Sequence, residues 1–173
     1  MYNITEIDIR KDHEIYKACE DLILNNPIDK DINYIKIGDK QDLLHLVANF
    51  LKVHGHGVNQ THFTDKNATV EIHQYLDNNG SHVSPLCVHL ESDGDFRDSE
   101  TFVCYFKNTG KGGEFGIFSD EDVDSLVRSI DTHPQETSVK CLIFDEKMYH
   151  APLPFSFGER LIVSIHISRN NAP

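Results

Sequence analysis

Between residues 12 and 53 the apolar positions follow a helical period. Ile15, Ala18, Cys19, Leu22 and Ile23 recur three and four apart, which predicts a helix over 12–25. Asp12 is a suitable N-cap, and Asn25-Asn26-Pro27 is a stop. Leu43, Leu46, Val47, Phe50 and Leu51 predict a second helix over 40–53, with Asp39 as cap and Gly55 and Gly57 as terminators. Tyr34-Ile35-Lys36-Ile37, between them, reads as a short strand. From about residue 69 the period shortens to two. Strands are predicted at 70–76, 85–91, 101–106, 114–118, 139–144 and 161–168. Turn-rich stretches separate them: Asp77-Asn78-Asn79-Gly80, Ser92-Asp93-Gly94-Asp95, and Asn108 through Gly113. One interruption is expected. Val123, Leu126, Val127 and Ile130 fall on one helical face, with Ser119 and Asp122 resembling a capping box and the acidic run Asp120–Asp124 favouring the positive end of the dipole. Residues Arg169 to Pro173 read as a frayed tail.

Two helices followed by many short strands predict an antiparallel sandwich or barrel with the helices covering one sheet. No repeat, low-complexity stretch or linker divides the chain. The expectation is one domain over 1–173, with a helical N-terminal part over 1–60 and a β core over about 69–168.

Composition narrows the functional classes. Sixteen basic against 28 acidic residues give a net charge of −12, which disfavours broad contact with nucleic-acid phosphates or an anionic membrane. No apolar run approaches the roughly 18 residues of a membrane span. The start, Met1-Tyr2-Asn3-Ile4-Thr5-Glu6, lacks the basic and apolar regions of a secretory signal, so a cytoplasmic location is expected. Cys19, Cys87, Cys104 and Cys141 form no CxxC motif and read as buried free thiols.

The candidate chemistry lies in Leu86-Cys87-Val88-His89-Leu90-Glu91. On a strand, Leu86, Val88 and Leu90 share one face, while Cys87, His89 and Glu91 share the other. An imidazole and a carboxylate side by side are two ligands of a metal site, and His150 is the candidate third. Two histidines and one carboxylate leave coordination positions open, which suits non-haem iron. Asp93, in the following loop, is the rival carboxylate; period-two alignment with His89 favours Glu91.

The order of motifs resembles the 2-oxoglutarate- and Fe(II)-dependent oxygenase family, in its prolyl-4-hydroxylase-like branch. His89-Leu90-Glu91 is followed by a strand at Phe102–Asn108 and by Gly112-Gly113-Glu114-Phe115. Leu142-Ile143-Phe144-Asp145, His150-Ala151-Pro152 and Gly158-Glu159-Arg160-Leu161 come next, with Arg160 ten positions beyond His150. The closest branch has Asp where this chain has Glu91. The resemblance implies a double-stranded β-helix, or jelly roll, mainly β with N-terminal helices. It implies Fe(II) held by His89, Glu91 and His150, and 2-oxoglutarate gripped at its far carboxylate by Arg160. Tyr75 and Tyr105 are candidates to add a hydroxyl there, and ascorbate is a further candidate cofactor. The implied reaction is hydroxylation of a C–H bond. A peptidyl, prolyl-type side chain comes first as substrate, a free amino acid or small metabolite second, and nucleic acid last.

Blander readings exist for each residue. His89 and Glu91 could form a solvated strand face, His150 a polar strand end, and Arg160 an exposed strand start, with Tyr75 and Tyr105 as core tyrosines. His54, His56 and His62 read as loop histidines, since no cysteine or carboxylate pattern accompanies them. Residues 92–100 and 54–68 are expected to line the entrance. The same fold could also be a catalytically silent binding protein, or hold zinc without an oxo acid; Arg160 argues against the latter.

Overall fold

The computed structural model describes residues 4–29, 32–38, 40–59, 61–77, 88, 98–145 and 147–169. The predicted strand at 85–91 therefore lies outside the described residues, apart from Val88, as do Asp39, Cys87, the turn after Asp77 and residues 170–173. Strand β1 (Ile4–Arg10) opens the chain, followed by α1 (Glu14–Asn25), β2 (Tyr34–Ile37) and α2 (Gln41–Val53). Then come β3 (Ala68–Asp77), β4 (Ser99–Asn108), β5 (Lys111–Gly112), β6 (Phe115–Phe118) and β7 (Leu126–Ile130). The last strands are β8 (Ser138–Asp145), β9 (His150–Pro152), β10 (Phe155–Ser156) and β11 (Gly158–Ser168).

Six strands form one antiparallel sheet in the order β1-β8-β4-β11-β3-β2, and β7-β6-β9 form a second. The pair β10-β5 stands apart from both. Together they make a jelly roll with helices against one sheet. Side-chain alternation divides the larger sheet into two cores. On β11, Leu161, Val163, Ile165 and Ile167 enter the core shared with α1 and α2, as do Phe102 and Cys104 of β4 and Val70 and Ile72 of β3. The opposite face of the same sheet carries Val103, Tyr105, Leu142, Phe144 and Ile162, which pack against Phe115, Ile117 and Ile130 of the smaller sheet. The helices thus seal one face, and the space between the sheets is left for the site.

The helices follow their predicted stripes: Ile15, Cys19 and Leu22 of α1, and Leu43, Val47 and Leu51 of α2, are buried. The caps differ. His13 caps α1, its Nδ1 accepting from the Ile15 amide at 3.1 Å, while Asp12 pairs with Arg10. Lys40 precedes α2 without a side-chain cap bond.

The predicted helix over 120–130 is not formed. The acidic residues turn the chain instead: Asp120 Oδ1 accepts from the Asp122 amide and Asp122 Oδ1 from the Asp124 amide, each at 2.9 Å. These local bonds compete with the helical ladder. Residues Leu126–Ile130 then pair with β6, leaving Leu126 and Val127 exposed and only Ile130 buried. Strand β1 was not foreseen; its apolar alternation is short, and its pairing with β8 settles it.

Two further expectations are corrected near the chain end. His56 is buried rather than a loop histidine, its Nδ1 3.0 Å from Glu100 Oε2 and its Nε2 3.0 Å from Thr5 Oγ1. Arg169 is not frayed: it donates to Glu100 Oε1 and to Asp98 Oδ1, each at 2.9 Å. Glu100 therefore ties the α2 exit to the end of β11, although the sequence places it in an entrance loop. Cys104 and Cys141 face each other in the β4–β8 register, and both are buried free thiols like Cys19. Burial pushes all three thiols up from the usual range. None of the described helices is long and apolar enough to cross a membrane.

Replacing Glu100 with Ala leaves both His56 and Arg169 without their shared carboxylate. The expected cost is about 3 kcal/mol, the range for breaking a buried pair, read from the midpoint of urea unfolding.

Candidate functional site

Arg160 is 0% exposed, the largest side chain so buried among the described residues, and is the third residue of β11. Its ladder neighbours are Tyr75 on β3 and Asn108 on β4. Asn108 reaches that position through a bulge. Ile162 pairs with Tyr105 while Leu161 pairs with Lys107, so Phe106 is the extra residue. One added residue reverses the alternation, and Asn108 joins Tyr105 on the inner face.

The guanidinium Nη2 donates to the Leu153 carbonyl at 2.6 Å, and the cation lies 4.7 Å from the centre of the Phe155 ring. Burial lowers the Arg160 pKa, while Tyr105, Tyr75 and Glu114 act to raise it. A guanidinium remains charged through such a shift. Burial also raises both tyrosines, Tyr105 far above the usual phenol range. Both hydroxyls are neutral at pH 7 and available as donors.

Asn108 Nδ2 donates to Thr132 Oγ1 at 3.0 Å and the Gly113 carbonyl at 3.3 Å. Thr132 Oγ1 donates to the same carbonyl at 3.0 Å. The buried Oδ1 of Asn108 accepts no hydrogen bond among the described residues. Gly113 must be glycine on two counts. Its φ is +84°, and a Cβ there would stand 2.8 Å from Arg160 Nη2 and 2.9 Å from Asn108 Oδ1.

Tyr75 and Tyr105 also line a cavity of about 210 Å3 between the two sheets, whose wall includes His150, Phe115 and Phe144. His150 is 4% exposed on β9, opposite Ile117 of β6. Its Nδ1 is 2.9 Å from the Met148 carbonyl. A carbonyl only accepts, so Nδ1 carries a proton, and a neutral ring then has its lone pair on Nε2. That is the tautomer a metal-ligating histidine adopts when a backbone carbonyl orients it. Phe115 stacks on the ring at 5.3 Å and 18°, and Phe144 lies at 4.7 Å.

The structure thus brings His150, Tyr75 and Tyr105 to one cavity and sets Arg160 opposite Tyr75 in the ladder. None is a solvated strand end. His89, Glu91 and Asp93 lie outside the described residues. Among the described residues no three His, Cys, Asp or Glu side chains form a metal-sized group. None of the described residues in 54–68 lines the cavity: Val58 and Phe63 pack in the helix-side core. Asn108, Glu71 and His73 were missed as site residues. For Glu71 and His73 the signal is the parity of β3, where Glu71, His73 and Tyr75 alternate with Val70 and Ile72. Asn108 carries no such signal, because the bulge that turns it inward is tertiary.

The fold and this cavity can now be set beside known proteins. The chain superposes on an oxidoreductase of the 2OG-Fe(II) oxygenase family from Burkholderia pseudomallei. The TM-score is 0.63 and the identity 14%, over 98% of this chain and 85% of that one. The fold is that of the 2-oxoglutarate oxygenases. A Pseudomonas putida prolyl-4-hydroxylase gives 0.60 at 15% identity, covering 99% of this chain and 95% of its own. A Trichoplax adhaerens prolyl hydroxylase, solved with a hypoxia-inducible-factor degradation-domain peptide, gives 0.59 at 14%, covering 98% and 84%. No protein-family model matches the chain, and neither does any curated protein.

Gly113→Ala tests the packing around Arg160. It is expected to destabilise the fold by about 1–3 kcal/mol through the strained φ alone. Gly38→Ala, where a Cβ meets nothing within 4 Å, is expected to change stability by less than about 0.5 kcal/mol. Urea unfolding of the two variants checks the contrast.

Proposed function

We propose that the protein is an Fe(II)- and 2-oxoglutarate-dependent dioxygenase that hydroxylates a C–H bond. The observation that carries this reading is the fully buried Arg160 guanidinium, beside two neutral tyrosines that line the same cavity as His150. A buried cation with neutral donors beside it suits the far carboxylate of a short diacid. The unsatisfied Asn108 Oδ1 fits a site completed by a bound group or water. His89, Glu91 and His150 would hold the iron, with Glu91 preferred to Asp93. The loaded iron supplies the oxidising chemistry, consuming dioxygen and converting 2-oxoglutarate to succinate and carbon dioxide.

The chain's own part is binding and exclusion. Arg160, Tyr75 and Tyr105 orient the diacid. Met148 fixes the His150 tautomer, and Phe115 and Phe144 keep water from the ring. No side chain is assigned as a general base.

For the substrate, a peptidyl prolyl-type side chain is the first reading, supported by the likeness of fold to two prolyl hydroxylases. A free amino acid or small metabolite is the second, and the cavity volume is compatible with both. About 210 Å3 is below the roughly 300–1,000 Å3 usual for ligand pockets, so it admits one side chain or one small metabolite.

Apo-protein given Fe(II) and 2-oxoglutarate without oxygen should develop the metal-to-ligand charge-transfer band, and should release succinate once oxygen is admitted. Neither signal would favour a silent or zinc-holding jelly roll. His150→Ala and Glu91→Ala should abolish the band, and Asp93→Ala should keep it. Arg160→Ala should still bind iron but lose 2-oxoglutarate affinity by roughly tenfold or more. Unchanged affinity would remove Arg160 from its role.

A further inference from the structure

The cavity has a second polar end, away from Arg160. On β3 the inner-face residues below Tyr75 are His73 and Glu71; on β11 those beyond Ile162 are Ser164 and His166. Glu71 stands opposite Ser164, four positions along β11 from Arg160. At ~3.3 Å per residue the two ends are about 13 Å apart. Glu71 is thus beyond the reach of a five-carbon diacid held at Arg160.

Most of that end is internally satisfied. His166 Nδ1 lies 3.1 Å from Thr101 Oγ1, and its Nε2 lies 3.1 Å from Ser164 Oγ. Glu71 differs. Its Oε2 accepts from His73 Nε2 at 3.1 Å, and His73 is itself stacked on Tyr34 at 5.5 Å. Its Oε1 is 3.8 Å from Lys36 Nζ, whose side chain is 57% exposed. That pair is too long for a good hydrogen bond and is screened by solvent. Burial acts to raise the Glu71 pKa, but the His73 bond and the charges of His166, His73 and Lys36 outweigh it and hold it below the usual carboxylate range. A carboxylate offers about four acceptor sites, and these contacts leave capacity for another donor.

We propose that Glu71 binds an alkylammonium group of the substrate, at the end of the cavity away from Tyr75 and Arg160. This rests on the dioxygenase reading proposed above and replaces its prolyl-type substrate with one that carries an ammonium. The ammonium has two sources: a lysyl side chain of a peptide, or the α-amino group of a free amino acid. A carboxylate facing an uncharged alkyl group loses hydration without return, so the site discriminates against the isostere.

Three probes separate the cases in calorimetric titration: Nα-acetyl-L-lysine amide, Nα-acetyl-L-norleucine amide and L-norleucine amide. Each is titrated anaerobically with Fe(II) and 2-oxoglutarate present, and again without them. The lysine compound should bind about tenfold tighter than its acetyl-norleucine isostere, the size expected of a charge-assisted hydrogen bond, if the lysyl side chain is the source. Tighter binding of L-norleucine amide than of its acetylated form assigns the α-amino group instead. Either preference should fall to near one in Glu71→Gln. Equal binding of all three probes by the unmodified protein in both conditions overturns the proposal without any variant. So does a preference that survives Glu71→Gln. Titration without iron keeps this result separate from a failure of the iron site, which the charge-transfer band reports.

Discussion

A guanidinium with no exposure to water, on a strand at the middle of a sheet, is the demand around which this molecule is arranged. Removing such a charge from solvent costs several kcal/mol unless polar groups replace the water. The replacements come from well-separated parts of the chain. Leu153 offers its carbonyl and Phe155 the face of its ring, both beside the small β5–β10 pair. Gly113 omits a side chain where one would strike the nitrogen. The β4 bulge turns Asn108 toward the same place, and Thr132 holds its amide. The loop between β4 and β6 therefore has its shape because β11 carries an arginine at that position.

The same sheet meets a second constraint on its other face. A strand buried on both sides normally reads as a continuous apolar run. Strand β11 instead alternates Arg160, Ile162, Ser164 and His166 with Leu161, Val163, Ile165 and Ile167. The second set packs under the two helices and gives the sheet its hydrophobic stability. That leaves the first set to carry polar and charged groups without costing the strand its place in the core. Cys104 and Cys141 stay on the helix side of the same sheet, where their thiols are inert.

Arg160, Tyr75 and Tyr105 are legible from sequence through the motif order that resembles the oxygenases, and counting by two along β11 puts Ser164 and His166 on the face of Arg160. The same count extended down β3 reaches His73 and Glu71. What the count could not reach depends on bonds between distant segments. Asn108 faces inward only because Phe106 is an extra residue. His56 sits in a segment that reads as a histidine-rich loop until Glu100 and Thr5 are placed beside it. The helix expected over 120–130 fails for a local reason with a tertiary outcome. Its aspartates bond to their own backbone, and the apolar residues beyond them find β6. The order of motifs pointed to the jelly roll, and the observed sheets have that form. The positions expected to supply His89 and Glu91 lie outside the described residues.

The electrostatics beside Arg160 have a direction as well as a strength. Tyrosine hydroxyls kept neutral by burial add hydrogen-bond donors beside the cation without adding negative charge. A carboxylate in place of either phenol would cancel the field that an incoming diacid would meet. At the Glu71 end the order is reversed: a carboxylate stands among hydroxyls and imidazoles, and His73, His166 and Lys36 keep it below the usual range against its burial. Fixed charges of opposite sign on one sheet face create a field along the cavity, and low-dielectric walls concentrate it. A molecule with its own charges in the complementary order would be oriented before any close contact forms. The bulge, Gly113 and the helix-covered face all help to hold that field in place.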